Sequence, residues 1–401
     1  MILCVSCGLG HLLDNHTRRC AIRITHSEID YVVLGCAEPG LHLVDDGKDV
    51  GRKFLNAIVL FGFRGHKLSI MTRVTVIGAG PAGTAAAISA LRHGASVHLY
   101  EKSRFPRHKV CGEFLSPETG HLLDQLGVDW RAAKPAPLKR LMLCFEGKRS
   151  ISQLPEGAYG LSRHAMDAML LCKALQNGAQ LYREQGERSS GPTVIASGRK
   201  SHAAKGDRLF GFKAHFEGPA NDSMELYFQK DGAYVGVNAV ECGVTNVCGI
   251  APEATLAAYD FEIDRYVETI PILSARLANM TRKWNWLRVG PLVFENQLKN
   301  GTTFPEYYAG DSLSFVDPFT GSGMLTALLT GILAGEFAAS GKSVADYIDT
   351  CGNAIRNPII AARLIRLSIR FGVAPWMQML VPHRLLFRLT RPRVIPPRMY
   401  S

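Results

Sequence analysis

A glycine-rich segment that follows a short apolar run constrains the fold of this chain most. The segment reads G-A-G-P-A-G at residues 78–83, directly after the run V-T-V-I at residues 74–77. Gly78 permits a tight turn out of a strand, Gly80 lets the backbone approach a phosphate, and Gly83 lets the next helix pack closely. The pattern predicts a strand, a turn and a helix that together bind a dinucleotide.

The residues that follow complete this unit. An Ala- and Leu-rich stretch predicts a helix over residues 81–93, whose N-terminus can attract phosphate groups. Residues 96–100 predict a second strand, and Glu101 stands at its end, where a carboxylate can accept ribose hydroxyls. The alternative is a glycine turn without a ligand, which the complete order of elements disfavours.

A second motif, more than two hundred residues later, distinguishes binding of FAD from binding of NAD. It reads Y-A-G-D at residues 308–311 and D-P-F-T-G-S-G at residues 317–323. A simple NAD-binding domain does not need it, whereas FAD is longer and has a ribitol and a flavin ring to hold. Asp311 is placed to accept a ribitol hydroxyl, and the predicted helix over residues 324–339 can aim N–H groups at the flavin. An Asp-Pro turn that merely caps a core helix is the alternative.

These segments resemble the FAD-dependent oxidoreductases of the geranylgeranyl reductase and flavin halogenase group, in the hydroxylase-type flavoprotein superfamily. The resemblance also rests on E-K-S-R-F-P-R-H-K-V-C-G-E-F-L-S-P at residues 101–117 and L-S-R-H-A-M-D at residues 161–167, and spans residues 72 to about 340. It implies an α/β fold, with a Rossmann-like FAD-binding domain, an inserted mixed β-sheet substrate domain and a helical C-terminus.

The resemblance also implies roles for individual residues. Arg107 and Lys109 would lie near the FAD phosphates, and Arg163 matches an arginine that reaches FAD, unless it is a surface residue at a helix start. Cys111 would act as a proton donor, contact the flavin or be a small packed residue, and we favour a structural or flavin-contacting role over a catalytic one. No catalytic side chain and no metal ligand is assigned. The predicted cofactor-binding residues are Gly78, Gly80, Pro81, Ala82, Gly83, Glu101, Lys102, Arg107, Cys111, Gly112, Arg163, Gly310, Asp311, Pro318, Gly321, Gly323 and Met324.

The middle of the chain predicts the substrate domain. Runs at residues 211–216, 224–229, 233–239 and 245–249 are typical of successive strands. Lys213 and His215 share one face of the first strand, and we favour a solvated edge over a substrate-facing position. The Trp284-Asn285-Trp286 segment lacks the Ile-Pro ending of the halogenase motif and is interpreted as packing or pocket wall. Few residues separate positions 184 and 194, so a trimmed FAD-binding domain is predicted.

The domain limits follow from these motifs. Residues 1–70 are predicted to be a non-native or disordered extension, because the first strand of this fold normally begins a few residues after the initiating Met and Met71 suits that place. Residues 71–200 and 301–345 are the two parts of the FAD-binding domain, residues 201–300 the substrate domain and residues 346–401 a basic helical segment. Ten cysteines without a paired framework suit the cytoplasm, and no apolar run reaches transmembrane length.

Most of the net positive charge lies in the C-terminal segment. No acidic residue follows Asp349, while nine arginines do, in a chain of net charge +11. Residues 359–371 predict an amphipathic basic helix, which either lies on the inner face of an anionic membrane or packs on the FAD-binding domain with a solvated arginine face. Nucleic-acid binding is disfavoured, since no recognised motif accompanies the charge.

We therefore predict an FAD-dependent oxidoreductase that acts on a hydrophobic small molecule, such as an isoprenoid, lipid or polyketide. The reaction would be alkene reduction or monooxygenation, with NAD(P)H or a redox partner as the electron donor. The alternative is a flavin-binding, membrane-peripheral partner protein with little turnover of its own.

Overall fold

The computed structural model describes residues 3–4, 9–13, 19–26, 29–36, 72–199, 208–292, 298, 305–315, 317–371 and 383–393. The chain divides into two compact units, Met1–Thr72 and Arg73–Ser401. The described part of the first unit is a four-stranded antiparallel sheet with strands β1 (Leu3–Cys4), β2 (Leu9–Leu13), β3 (Arg19–His26) and β4 (Ile29–Cys36). That residues 1–70 are a non-native or disordered extension stays a prediction.

The second unit alternates strands and helices, as the predicted α/β class requires. Its strands are β5 (Arg73–Ile77), β6 (Ser96–Tyr100), β7 (Phe114–Leu115), β8 (Ala136–Pro137), β9 (Arg140–Phe145), β10 (Lys148–Gln153), β11 (Tyr159–Gly160), β12 (Gln180–Tyr182), β13 (Thr193–Ile195), β14 (Leu209–Glu217), β15 (Ser223–Phe228), β16 (Tyr234–Ala239), β17 (Val244–Pro252), β18 (Thr281–Arg282), β19 (Leu287–Leu292) and β20 (Tyr307–Tyr308). Its helices are α1 (Pro81–Arg92), α2 (Pro117–Gln125), α3 (Arg163–Gln176), α4 (Glu253–Ala257), α5 (Ile263–Glu268), α6 (Pro271–Leu277), α7 (Gly323–Ala339), α8 (Val344–Arg370) and α9 (His383–Leu389).

A five-stranded parallel sheet carries both predicted motifs. Its strand order is β12-β6-β5-β13-β20, so the strand before the second motif lies in the same sheet as the strand before the first. The sheet is short at β12 and β13, and no strand lies between Tyr182 and Thr193, a stretch that is described throughout. Carboxyl ends of parallel strands meet at one edge, which brings the two motifs together.

Helices α1 and α7 pack against each other without intervening side chains. A Cβ at Gly331 would lie 2.2 Å from the carbonyl oxygen of Ala82, and one at Gly335 would lie 2.2 Å from that of Ala86. Only glycine permits this approach at either position. The close packing fixes the start of α1 beside the middle of α7.

A mixed sheet of eight strands forms the second layer. Its order is β10-β9-β15-β16-β17-β14-β18, with β19 also paired to β14, and only β9 and β15 run parallel to each other among these described pairs. It includes β9 and β10, so the sheet draws on chain before the predicted 201–300 range. Along β14, Phe212, Ala214 and Phe216 join the apolar cluster of α4–α6, while Lys213 and His215 face the opposite side by strand alternation.

The C-terminal helix is longer than predicted. The sequence predicts a helix over residues 359–371, whereas α8 begins at Val344, where the Ser343 hydroxyl accepts from Asp346 N, and continues through Pro358. Tyr347, Cys351 and Ile355 are buried on one face, and this packing holds the helix together across the proline. In the described part of the chain, the helices are too short or too polar to cross a bilayer.

Candidate functional site

The glycine turn has the geometry that the sequence predicts. Gly78 has φ +101°, a region that favours glycine. A Cβ at Gly83 would lie 1.7 Å from the Gly78 carbonyl oxygen, so α1 meets the turn at backbone distance. Gly80 precedes the helix, and no described side chain caps it. The first N–H groups of α1 are therefore available to an anion.

Glu101 stands beside this turn and is held in place. Its carboxylate accepts from Ala79 N at 3.1 Å, Ser103 N at 2.8 Å and both terminal nitrogens of Arg107 at 2.9 Å. Burial opposes ionisation, but Arg107 and the backbone N–H groups outweigh it and lower the pKa of Glu101 to about 2. The acid predicted for the ribose is thus ionised and oriented. A phosphate role for Arg107 stays a prediction, and Lys102 is exposed.

Positive charge gathers at the glycine turn. A Cβ at Gly80 would lie 4.0 Å from Nη2 of Arg163, whose guanidinium also pairs with Asp167 at 2.6 Å. Burial lowers the pKa of Lys109, and the neighbouring Arg107 and Arg163 lower it further. Arg163, next to the start of α1 and close to Lys109 and Arg107, is thus placed to attract an anion.

The second motif faces the first. Gly310 has φ +61°, its N–H donates to Thr330 Oγ1 at 2.9 Å, and a Cβ there would lie 2.9 Å from the Cβ of Ala82. The Asp311 side chain is exposed, yet the surrounding protein raises its pKa, against the opposing effects of Arg199 and Arg163. The carboxylate of Asp311 is therefore accessible at the surface while the surrounding protein partly desolvates it.

The turn before α7 leaves room for a flat ligand. Gly321 has φ +64° and packs against Phe114, Asp317 is bound by Arg366, and Met324 is buried behind the turn. No described side chain caps α7, and no described atom lies within 4 Å of a Cβ built at Gly323 or at Gly112. Space is therefore open next to the start of α7 and next to Gly112.

Cys111 and Gly112 are anchored next to this space. Asn246 on β17 donates to the carbonyl oxygens of Cys111 at 3.2 Å and Gly112 at 3.0 Å. Burial raises the pKa of the Cys111 thiol. The thiol is therefore protonated at neutral pH. A protonated thiol is compatible with contact with the flavin and with proton donation.

A buried ionic network lies directly behind the loop, and it contradicts the sequence-based expectation for two residues. Glu113 and Lys213 are fully buried and form an ion pair, and Glu113 Oε2 lies 2.8 Å from His215 Nε2. The expected solvated edge for Lys213 and His215 is wrong, because loop 111–113 covers that face of β14. Two features of the sequence could have indicated this buried network. Lys213 and His215 alternate with apolar residues on one strand, and Glu113 directly follows Cys111-Gly112.

Glu113 also connects this network to the cofactor loop. The backbone N–H of Arg163 donates to Glu113 Oε1 at 2.7 Å, and the side chain of Arg163 faces Gly80. Burial raises the pKa of Glu113, but Lys213 and His215 outweigh this effect and the net direction is downward. Arg163 at the glycine turn and the buried pair on β14 are thus connected through Glu113.

Imidazole rings extend the network outward. His215 lies edge-on to His108 at a centroid distance of 5.0 Å, and His108 stacks on His164 at 4.7 Å. Trp284 packs against His108 at 4.8 Å and His215 at 5.1 Å, consistent with its predicted packing role. Burial, together with the charges of His215 and Lys213, lowers the pKa of His108 to about 4. His108 is therefore neutral at neutral pH.

Comparisons with known proteins agree with this geometry. Residues 71–191 match the family model of the FAD binding domain. A segment of 55 residues is 47% identical to the menaquinone reductase of Mycolicibacterium smegmatis, which is 14% of this chain and 13% of that protein. The chain thus matches only about an eighth of that relative's length.

Solved structures match over a much longer range. A flavin-dependent brominase superposes with a TM-score of 0.66 at 21% identity, covering 80% of this chain and 93% of that one. A geranylgeranyl bacteriochlorophyll reductase-like protein from Thermoplasma acidophilum gives 0.60 at 19% identity, with 80% and 92% covered. At these identities the likeness concerns the fold, and it confirms the predicted α/β class. Residues 71–191 accordingly form an FAD-binding domain, and the chain shares the fold of these two solved structures.

Proposed function

We propose that this protein is an FAD-dependent oxidoreductase that reduces an alkene or quinone group of a hydrophobic small molecule. One observation carries the proposal, namely the continuous connection from Gly80 through Arg163 and Glu113 to Lys213 and His215. A cofactor loop that served binding alone would not need a buried acid–base network on the opposite wall.

FAD would supply hydride transfer, and the chain's own residues would hold and orient it. The start of α1, with Arg163 and Lys109, would bind the pyrophosphate. Glu101 would accept the adenosine ribose hydroxyls, and Asp311 a ribitol hydroxyl. The N-terminus of α7 at Gly323 would face the pyrimidine edge of the flavin, where negative charge collects on reduction.

The buried network would manage the proton that accompanies hydride transfer. Glu113 holds His215 through Oε2, and the neutral ring of His108 lies between His215 and the partly exposed His164. Protons would pass along this order, from the protein surface to the covered face of β14. The protonated thiol of Cys111, which adjoins Gly112, would be a second proton donor.

The substrate class follows from the apolar wall next to the turn of α7. Phe114, Met224, Leu226, Tyr234 and Phe319 belong to one buried cluster on this side of the mixed sheet. Such a wall suits an isoprenoid chain or a ring system more than a polar metabolite. The name of the partly matching menaquinone reductase supports a lipid quinone as the first substrate to examine.

The first test is an absorbance spectrum of the purified full-length chain, with release of the flavin on denaturation. We then expect NADPH oxidation that depends on a short-chain menaquinone and continues without oxygen. Oxygen-dependent turnover with one oxygen atom incorporated would replace reduction by monooxygenation. Bound FAD with negligible turnover under both conditions would contradict the proposal and favour the non-catalytic partner role, for which the short segment between β12 and β13 is the supporting observation.

A further inference from the structure

The outward face of α8 carries an exposed apolar stripe. Ile360, Leu364, Leu367 and Phe371 recur at helical spacing and are 45%, 57%, 48% and 72% exposed, respectively. The opposite face of the same helix is buried against the protein. The sequence leaves open either a membrane-facing helix or a packed helix with a solvated arginine face. In the structure, α8 packs against the protein on one side and exposes apolar side chains on the other.

Positive charge flanks this stripe. Arg356 and Arg363 are exposed on the adjoining side of α8 and, with Ile360, line a groove of about 550 Å³ that also includes Asp349. A second pair of exposed leucines, Leu385 and Leu389, lies on α9, which packs against α8. Beyond Asp349 the sequence contains nine arginines and no acidic residue.

We propose that this C-terminal surface, formed by the stripe of α8 with Arg356 and Arg363, docks onto an anionic lipid membrane. Apolar side chains would enter the headgroup region while the arginines contact lipid phosphates, which is the arrangement of an interfacial amphipathic helix. This inference concerns the surface alone and goes beyond the proposed oxidoreductase activity.

Charge favours lipid over a second copy of the chain. A symmetric dimer through this face would place the same patch on both sides and bring arginines against arginines. Asp349 is the one carboxylate among the described residues that line the groove, and no acidic residue follows it to offset the rest of that repulsion. An anionic membrane provides the opposite charge and an apolar interior at once.

The surface also adjoins the functional site. Arg366 of α8 binds Asp317 in the turn before α7, and Ile369 joins Phe114 and Phe319 in one buried cluster. Docking through α8 would thus hold the apolar wall of the site close to the bilayer, from which a hydrophobic substrate could enter.

Flotation of the full-length chain with vesicles tests the proposal. We expect binding to vesicles of phosphatidylcholine with about 30% phosphatidylglycerol, weaker binding to phosphatidylcholine alone, and loss of binding as salt rises. The double variant Leu364→Ser/Leu367→Ser should weaken vesicle binding by roughly tenfold or more. The matched control is Ile151→Ser, which removes a residue that is 64% exposed on β10.

Arg356→Gln/Arg363→Gln separates the electrostatic from the apolar contribution. It should reduce binding to anionic vesicles by roughly tenfold and leave the weak binding to neutral vesicles unchanged. Equal binding to both vesicle types, or no binding by the well-folded wild type, would overturn the proposal. Light scattering that finds a dimer abolished by Leu364→Ser/Leu367→Ser would overturn it too, since a second copy would then cover the stripe.

Discussion

The two walls of the site are built by opposite means. The wall formed by the parallel sheet uses glycines, free backbone N–H groups and a carboxylate at the surface of a turn. The wall formed by the mixed sheet uses a lysine, a histidine and a glutamate that are all removed from water. In the first wall, backbone N–H groups and a carboxylate stay available to a ligand. In the second wall, the buried charges are paired with one another, so the removal of one partner is costly.

The largest effect should come from the backbone contact that forms the first wall. Gly83→Val would force a side chain into the space occupied by the Gly78 carbonyl, 1.7 Å from the new Cβ. We expect the free energy of unfolding to fall by roughly 4 kcal/mol or more, with loss of FAD, because α1 must move away from β5. Urea denaturation and flavin content measure both effects.

Gly352→Ala provides the control for that experiment. Gly352 lies within α8, and no described atom would lie within 4 Å of its Cβ. Alanine there should leave stability unchanged or raise it by about 0.5 to 1 kcal/mol. If Gly83→Val were as well tolerated as Gly352→Ala, the close packing of α1 on the glycine turn would be refuted.

Removing one charge of the buried Glu113–Lys213 pair should lower the free energy of unfolding more than removing both charges. Lys213→Met leaves Glu113 buried without its main partner, and we expect a loss of about 3 to 5 kcal/mol in the free energy of unfolding. Adding Glu113→Gln should recover a large part of it. Arg131→Met removes a similar but exposed pair with Asp124 and should cost less than about 1 kcal/mol. A double variant no more stable than Lys213→Met would show that the ion pair is not the cause.

The difference between the walls also explains what the sequence could predict. Gly78, Gly80 and Gly83 act through local backbone geometry, so their spacing alone predicts the turn, and the same holds for Gly310. Glu113 lies 100 positions from Lys213, and only the pairing of loop 111–113 with β14 brings them together. A sequence cannot show burial of a charge whose partner arrives through tertiary structure. The strand and the alternation of β14 were predictable, but the layer that covers it was not.

The boundaries of α8 also depend on tertiary packing that the sequence does not show. The basic, apolar run at residues 359–371 predicts a helix, yet the helix starts at Val344. Pro358 is an ordinary reason to end a helix, and packing of the buried face of α8 outweighs it. Local signals therefore predicted the composition of the exposed face correctly but not the extent of the element.

The two walls should lose stability in different pH ranges. The pKa of His108 falls from 6.5 to about 4 on folding, so the unfolded chain binds more protons between these values and stability is lost as the pH falls through this range. The pKa of Glu101 falls from 4.5 to about 2, so its contribution is lost between about pH 4.5 and 2. Each effect should be about 2 kcal/mol after solvent screening.

Melting temperatures measured across pH for two variants would separate these contributions. His108→Phe keeps an aromatic ring between His164 and Trp284 and should flatten the profile between pH 6.5 and 4 only. Glu101→Gln should be less stable than the wild type at pH 7 and approach it as the pH falls toward 2. A profile of His108→Phe parallel to that of the wild type would mean that His108 is not the group that titrates on this wall.

The smallest predicted effect distinguishes binding from stability at one residue. Desolvation by the surrounding protein raises the pKa of Asp311, so the ionised carboxylate is less favourable in the folded chain than in the unfolded chain. Asp311→Asn should therefore raise the melting temperature of the flavin-free protein slightly, and it should weaken FAD binding by roughly tenfold if the carboxylate accepts a ribitol hydroxyl. Fluorescence titration of FAD and thermal unfolding test the two signs separately, with Asp260→Asn on an exposed turn as the control. A rise in melting temperature together with weaker FAD binding is expected only if the carboxylate serves to bind the ligand. If Asp311 stabilised the fold instead, its replacement would lower both the melting temperature and the affinity for FAD.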